Sequence, residues 1–395
     1  MKIALLHYSS YPVIGGVETV VRHQAHLLAR HGHAVTILCG QGKPCGGGVR
    51  VCTVPALRSR NQSAELPPKG TARDKWVARF FKRVDAARAA FATFLAPFDA
   101  TIVHNVLTMP FNLVATHALA RSAAAGGLII AWTHDLAALN PDYQIPVHPV
   151  FDVLRTRQPA VRYVAVSKVR AREFAVLTGT PADAVIPNRL DPALTLGLTP
   201  EVNALLGPLA AEAALLLCPT RILRRKNLGL ALNILAAVRS LDFPAKLIVT
   251  GAVNPHGSLD VNHLEELKRQ AEELAVTNDV LWLSEHWPVT ERQLRSVYLL
   301  ADAVLYPSRQ EGFGLPPLEA AAFRLPLFCA DLEPFRDHLP FNSVRFDLNA
   351  SPRNTAERLI RALQDDKAYL SRKRLLREHS AGIAYARQIE PLLRK

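Results

Sequence analysis

The chain lacks any run of about 18 uninterrupted apolar residues, the length a spanning helix needs. Its least polar stretch, residues 204–218, is broken by Pro208 and Glu212. Residues 1–7 reach polar side chains too soon for a signal peptide. Cysteine is scarce: the five thiols (Cys39, Cys45, Cys52, Cys218, Cys329) show no C-x-x-C or zinc-ligand spacing. That pattern excludes a disulfide scaffold and a zinc module, and an odd count fits a reducing compartment. Repeats and low-complexity tracts are missing too, which argues against solenoids and disordered linkers. Acid is in short supply, with 34 Asp+Glu against 47 Lys+Arg and a formal charge of +13. An anionic partner is therefore favoured, whether nucleic acid, acidic lipid or a phosphorylated metabolite.

What is present suffices for a large core. Of the 395 residues, 49% are hydrophobic and 21% charged, so the chain is globular and long enough for two domains. The positive surplus is uneven: residues 50–83 carry Arg50, Arg58, Arg60, Lys69, Arg73, Lys75, Arg79, Lys82 and Arg83 against only Glu65 and Asp74. Immediately downstream, residues 76–95 combine Trp76, Phe80, Phe81, Phe91 and Phe94 with several of these cations. This segment is either a helix on an anionic membrane surface or an ordinary helix covering a domain.

Short β-rich runs alternate with longer helical patterns, the mark of parallel sheets covered on both faces. Strands are expected at residues 3–8, 34–38, 100–104, 128–133, 163–167 and 184–186, with a helix over 17–31. A second series is expected at 214–219, 245–250, 280–283, 303–306 and 327–329. The Pro/Leu-rich, motif-poor segment at 192–214 separates the two. The fold class is α/β, with domains at 1–192 and 193–377 and a helical tail over 378–395.

In open parallel sheets ligands sit outside the carboxyl ends of strands, so the loops following strands are where chemistry is sought. Gly15-Gly16 follows the first strand; either it lets backbone approach an anion or it is a turn that needs positive φ. His134-Asp135 closes an apolar strand, and its imidazole either faces a cleft, titrating near neutrality, or bonds locally. Arg221, Arg224, Arg225 and Lys226 surround the start of a helix beginning near Leu228, where cations and helix amides together suit a diphosphate; the alternative is a solvated basic loop. The loop from Glu311 to Glu319, with Gly312, Phe313, Gly314 and Leu315 before Pro316-Pro317, leaves amides free at a helix start. Its two carboxylates can grip vicinal diols of one extended ligand. Asn105 and Asn112 flank a loop on the same side of the first sheet.

Together these motifs resemble the family-four retaining glycosyltransferases of GT-B architecture. The match is carried by Gly15-Gly16, by Gly32-His33-Ala34-Val35, His134-Asp135, Val166-Ser167 and Pro187 to Asp191. It continues through Arg221, Lys226-Asn227, Thr250-Gly251, Tyr306-Pro307-Ser308 and Glu311 to Glu319. The resemblance implies two Rossmann-like β/α/β domains facing a central cleft: an acceptor domain, a nucleotide-sugar domain, and a terminal helix crossing back to the first. It implies transfer of a hexose from a UDP-, GDP- or ADP-sugar, with Arg221 and Lys226 on the diphosphate, Glu319 on the ribose and Glu311 on the sugar hydroxyls. His134 would touch the donor sugar near the reacting carbon, and Gly16 with the amides of residues 313–315 would complete the phosphate cradle. Asn105, Asn112 and Asp135 are expected to shape the acceptor pocket. Arg324, where the family usually has glycine, and Glu285-His286, near the nucleotide base, depart from the pattern.

No carboxylate pair is placed as nucleophile and acid of a double displacement, which favours front-face transfer. No resident metal is expected, magnesium being required by nothing in the sequence, and no cofactor beyond the donor. The acceptor is expected to be an anionic small molecule or lipid-linked, and the protein cytoplasmic, with peripheral contact at the inner face of a membrane as an extension. A nucleotide-sugar epimerase or a phosphorylase would use the same fold, although no lysine stands out to carry the phosphorylase cofactor. A basic nucleic-acid binder would explain the charge alone, but the aromatic and basic pattern of a known module is missing.

Overall fold

The structure, a computed structural model, describes residues 1–60, 68, 72–123, 127–251, 258–336, 339–379 and 385–394. Glu65 and Lys69 of the basic segment lie outside the described residues. The chain divides into two compact units, Met1–Asp191 with His379–Lys395, and Pro192–Glu378.

In the first unit the elements run β1 (Lys2–Ser9), α1 (Gly16–Arg30), β2 (Ala34–Gln41), β3 (Arg50–Thr53), α2 (Ala72–Leu95), β4 (Ala100–His104) and α3 (Leu113–Ala123). They continue with β5 (Leu128–Thr133), β6 (Val161–Ala165), α4 (Lys168–Thr178) and β7 (Ala184–Val185). The seven strands are ordered β3-β2-β1-β4-β5-β6-β7, and the pairings are parallel.

The second unit opens with α5 (Pro192–Leu196) and α6 (Pro200–Glu212), so the segment read as motif-poor is mostly helical and holds Pro208 inside α6. Then follow β8 (Ala214–Cys218), α7 (Leu228–Ser240), β9 (Ala245–Val249), α8 (Ser258–Glu273), β10 (Val280–Trp282), α9 (Glu291–Leu300) and β11 (Ala303–Tyr306). The unit ends with α10 (Pro316–Ala322), β12 (Leu327–Ala330), β13 (Ser343–Phe346), α11 (Pro352–Asp365) and α12 (Lys367–Arg374). Its six strands are ordered β10-β9-β8-β11-β12-β13, again parallel.

Both orders are those of a doubly wound sheet, whose direction of growth reverses between the first and fourth strands of each unit. A central strand of such a sheet is covered on both faces, and each residue of β8 (ALLLC) is fully buried. Layers of aliphatic side chains cover both faces of each sheet.

The tail is not one regular helix. Residues 375–379 and 385–389 form π-type turns, and among the described residues of the tail only α13 (Glu390–Leu393) is α-helical. It packs on the first unit: Tyr385 stacks on His31 with ring centroids 3.7 Å apart, and Arg162 donates to the carbonyls of Leu392 and Arg394, each at 2.9 Å. Tyr385, Ile389 and Leu393 join the core beside β1.

In the second unit, Lys373 on α12 is buried with Asp302. Its ammonium donates to Asp302 Oδ2 and to the carbonyls of Ala210 and Ala213, each at 2.7 Å. Burial lowers the Lys373 pKa and Asp302 opposes it. Lys373→Met leaves Asp302 buried without its counter-charge and is expected to cost about 3–5 kcal/mol, read by urea unfolding. A loss below about 1 kcal/mol, the worth of an exposed pair, would mean water reaches the site.

Candidate functional site

In each unit the residues of interest gather outside the carboxyl ends of the two strands flanking the reversal point, where doubly wound sheets hold their ligands. In the second unit those strands are β8 and β11. After β8 the chain passes Arg221 and a single 3₁₀ turn, Arg224–Lys226, and then Asn227 in the left-handed region (φ 56°) starts α7. No side chain caps α7, so its first amides remain directed at the strand ends. Arg221 is exposed and makes no ion pair among the described residues. Gly251, after β9, holds this loop in place. A Cβ at Gly251 would lie 2.3 Å from the Thr220 carbonyl oxygen and 2.4 Å from Arg221 Cα, so only glycine allows the two loops to touch.

Lys226 and Glu311 are paired with each other. The Lys226 ammonium donates to Glu311 Oε1 and, at 2.8 Å, to the Tyr306 hydroxyl. That same carboxylate oxygen accepts from Tyr306 (2.8 Å) and Ser308 (2.6 Å), while Arg225 reaches Oε2 at 3.3 Å. The two side chains are 10% and 7% exposed. Burial alone would raise the Glu311 pKa, but hydrogen bonds from Lys226, Ser308 and Tyr306 outweigh it and hold the carboxyl below its ordinary value. Burial and the Glu311 carboxylate push the Tyr306 hydroxyl far up, so it stays a donor. The result is a fixed cation, a fixed anion and a neutral hydroxyl.

Glu319 lies in the first turn of α10 and accepts from the Tyr298 hydroxyl of α9. Before it, Gly312, Phe313 and Leu315 are exposed, and Gly314 (φ 79°) sits against Phe335 where a Cβ would be 2.7 Å from the ring. Arg324, at the end of α10, adopts φ 58°. Its N–H bonds Ala321 O at 3.0 Å and that of Leu325 bonds Ala320 O at 2.9 Å. Glycine is the residue that normally makes this double closure, so Arg324 occupies a strained position there. Glu285 pairs with Lys268 at 2.6 Å.

In the first unit the flanking strands are β1 and β4, with β5 next. A histidine closes the apolar run of each: His7 within β1, His104 at the end of β4 and His134 just after β5. The His7 Nδ1 lies 2.9 Å from the His104 carbonyl oxygen, which only an N–H satisfies. His134 Nδ1 faces the Asn188 amide nitrogen at 3.3 Å and therefore accepts, so its Nε2 donates to His104 Nδ1 at 3.0 Å. The His104 proton is thereby left on Nε2, a fully buried atom with no partner among the described residues. Burial, and secondarily the neighbouring His7 imidazole, pushes the His134 pKa down to about 3. Titration near neutrality, one of the two readings of this histidine, is thus corrected: the ring is neutral at physiological pH and engaged at both nitrogens.

Asn105 (φ 58°) directs its Oδ1 to the backbone N–H of His134 (2.8 Å) and Asp135 (3.1 Å), so it shapes the loop and is not free for an acceptor through that oxygen. Asp135 is half exposed and 3.5 Å from Arg170. Asn112 is a correction. It is fully buried and spends its amide on the carbonyls of Ala56 and Arg58, each at 2.8 Å, and its oxygen on the Ala115 N–H at 3.0 Å, so no polar atom remains for an acceptor. The positive-φ reading of Gly15-Gly16 also falls. Gly15 is extended (φ −164°), and the Glu18 carboxylate lies over it, its Oε2 2.1 Å from where a Cβ would stand, so a side chain there would displace Glu18. Glu18 in turn accepts from Ser9 at 2.5 Å and stands 3.8 Å from His7 Nε2. Gly16 is open to solvent at the uncapped start of α1.

The reading of the sequence missed His7, His104 and Glu18, gave Tyr298 and Ser308 no site role, and named Arg225 only as one of the cations around the start of α7. The signal for the first two was legible, since a histidine ends each apolar run of β1, β4 and β5. Tyr298 carried none, being one more aromatic on the buried face of a helix. Among the described residues no group of three or more His, Cys, Asp or Glu is arranged to hold a metal.

A family model for "Glycosyl transferases group 1" matches residues 208–378, and one for "Glycosyltransferase Family 4" matches residues 14–194. The chain belongs to the family-four, group-1 glycosyltransferases, and its two Rossmann-like sheets are those of the GT-B fold. Among curated relatives, the alpha-1,3/1,6-mannosyltransferase ALG2 of Homo sapiens is 29% identical over 163 residues, 40% of this chain and 35% of that protein. The D-inositol 3-phosphate glycosyltransferase 1 of Catenulispora acidiphila is 28% identical over 248 residues, 59% of this chain and 56% of that protein. The chain thus spans only about a third to about half of the length of these two relatives. The mannosylglucosylglycerate synthase of Petrotoga mobilis is 24% identical over 376 residues, 85% of each chain. Among solved structures, a trehalose-6-phosphate synthase is 13% identical with a TM-score of 0.40, over 100% of this chain and 99% of the other.

Two predictions follow from this geometry. Arg324→Gly relieves a left-handed residue and is expected to add about 1 kcal/mol of stability, read as a raised unfolding midpoint; no gain would mean that the arginine makes a compensating contact. His134 binds its proton at about pH 3 when folded, against 6.5 as the ordinary value. The unfolded chain therefore takes up the extra proton, and the contribution of this site is present above pH 6.5 and lost as pH falls from 6.5 toward 3. NMR of the ring should show no titration between pH 5 and 8; a midpoint in that window would show the buried network is open to water.

Proposed function

We propose that this protein is a retaining hexosyltransferase that takes a nucleotide-diphosphate sugar as donor and an anionic acceptor. The observation that carries the reading is the fixed Lys226–Glu311 pair beside exposed Arg221 and the uncapped start of α7, all at the reversal point of the second sheet. Negative charge grows on a diphosphate as its bond to the sugar breaks, and preorganised donors stabilise that charge without reorganising. Arg221, Lys226 and the α7 amides are those donors. Glu311, kept ionised by its partners, accepts from the hydroxyls of the transferred sugar, and Glu319 from those of the ribose. The amides of residues 313–315 add to the phosphate cradle.

In a front-face reaction the acceptor oxygen bonds to the anomeric carbon while the carbon–oxygen bond to the diphosphate breaks. The departing phosphate oxygen takes the acceptor proton, so no protein base is required. In the first unit, neutral His134, held at both nitrogens by His104 and Asn188, supports a positioning role for the loop that carries Asp135, and Asn105 sets the backbone of both residues. Asp135 is the accessible polar group for the acceptor, with Arg170 beside it. The net charge of +13 and the phosphorylated compound in one relative's name support an anionic acceptor, and the mannosyl names of others support a hexose. Five free thiols support a reducing, cytoplasmic setting.

Thermal-shift titration with UDP, GDP and ADP, followed by their sugars, tests the donor; stabilisation by none of them would sink the reading. Lys226→Ala is expected to lower turnover about 100-fold, the usual cost of deleting one transition-state donor. Turnover within twofold of the parent, in a variant that still binds the diphosphate, would remove Lys226 from the chemistry.

A further inference from the structure

At the end of the first unit opposite His134, two apolar cavities open beside the carboxyl end of α2. The larger, of about 490 Å³, is walled by Ala92, Leu95, Phe98, Leu128 and Ile129, with Arg88 on its lining. The smaller, of about 320 Å³, shares Phe98 and adds Phe94, with Lys2 and Arg50 among its lining residues. Thr101 and Leu128, on the floor of the larger, stand at the amino ends of β4 and β5, whereas His134 follows the carboxyl end of β5. At about 3.3 Å per residue, β5 separates the two places by about 20 Å. These cavities are therefore not the acceptor pocket.

Close-packed interiors leave few voids larger than a water, and ligand pockets are mostly apolar with a small number of placed polar groups. Both cavities fit the second description. The charged residues that line them are Arg88, Lys2 and Arg50, and no carboxylate lines either one among the described residues. Arg88 makes no hydrogen bond or ion pair among the described residues, and neither do the side chains of Lys2 and Arg50. The nearby Asp99 is spent on the Lys2 backbone N–H at 2.7 Å. Phe94, on the rim of the smaller cavity, is 36% exposed, and Asp85, one turn before Arg88 on α2, is paired with Arg121 at 3.0 Å.

We propose that this end of the first unit binds an anionic amphiphile, with its hydrocarbon chain in the slot between α2 and the amino ends of β4 and β5 and its carboxylate or phosphate on Arg88. An apolar slot alone would take a neutral chain, and cations alone would take a free anion; the combination selects a molecule carrying both. A free fatty acid and an acidic phospholipid share that chemistry, and the inference does not depend on the identity of the glycosyl donor.

The test uses the full chain and a dansyl-labelled long-chain fatty acid, whose fluorescence rises on entering an apolar site, with vesicle flotation as a second arm. Saturable enhancement is expected. Ala92→Trp, which fills the slot from an exposed helix position, is expected to abolish it, with Ala89→Phe as a second blocking variant; circular dichroism checks the fold of each. Arg88→Gln is expected to weaken binding about tenfold for the acid and to leave its methyl ester unchanged, the worth of one charge-assisted hydrogen bond. Flotation with phosphatidylglycerol but not phosphatidylcholine vesicles, blocked by Ala92→Trp, would identify the source as a membrane lipid; probe binding without flotation would identify a free acid. Parent-like probe binding by both blocking variants would overturn the proposal. So would flotation lost on Arg88→Gln but untouched by Ala92→Trp, since that pattern describes surface charge alone.

Discussion

A buried charge is tolerated only beside its opposite and with its remaining hydrogen bonds satisfied. In the second unit that rule is met by Lys226 and Glu311, which lie on different loops and reach each other only because β8 and β11 are neighbours. Each residue is thereby prevented from swinging into solvent. Tyr306 and Ser308 accept no alternative role, since both donate into the same carboxylate oxygen. The loop after β9 then closes on the loop after β8 through Gly251, which fixes the backbone carrying Arg221. A site for a charged leaving group must not rearrange as charge develops, and this arrangement leaves little to rearrange.

The first unit solves a different problem with neutral groups. Three imidazoles meet at the carboxyl ends of β1, β4 and β5, and burial keeps them uncharged. Charging them together would place like charges about 3 Å apart in a medium that screens poorly. Neutrality lets the His104 carbonyl and the Asn188 amide decide which nitrogen of each neighbouring ring carries a proton. The loop bearing His134 is set independently by the Asn105 side chain. The tail adds to the same unit from behind, with Tyr385 stacked on His31 and hydrogen-bonded to His33.

Much of the fold was legible because parallel strands buried on both faces must be continuously apolar, and such runs are hard to mistake. The two strands that escaped notice, β3 (RVCT) and β13 (SVRF), are sheet edges, short, partly exposed and interrupted by polar residues. The tail read as helical in pattern but is largely π-type turns, because side-chain periodicity does not distinguish a widened turn from a regular one. Asn112 looked like a pocket residue for a similar reason: its neighbours in the chain face the right way, while its own amide was needed by the backbone of residues 56 and 58.

The sequence by itself determined the alternation of strands and helices, the loops at which glycine, basic and acidic residues collect, and the family those loops resemble. These are local properties, written in hydrophobic period and in residues a few positions apart. Tertiary structure alone decided that Lys226 and Glu311 neutralise each other, that His7 and His104 stand behind His134, and that cavities open at the far end of α2. Such facts depend on which strands lie side by side and on how much water is excluded, and pairing across 30 to 97 positions of chain leaves no periodic trace.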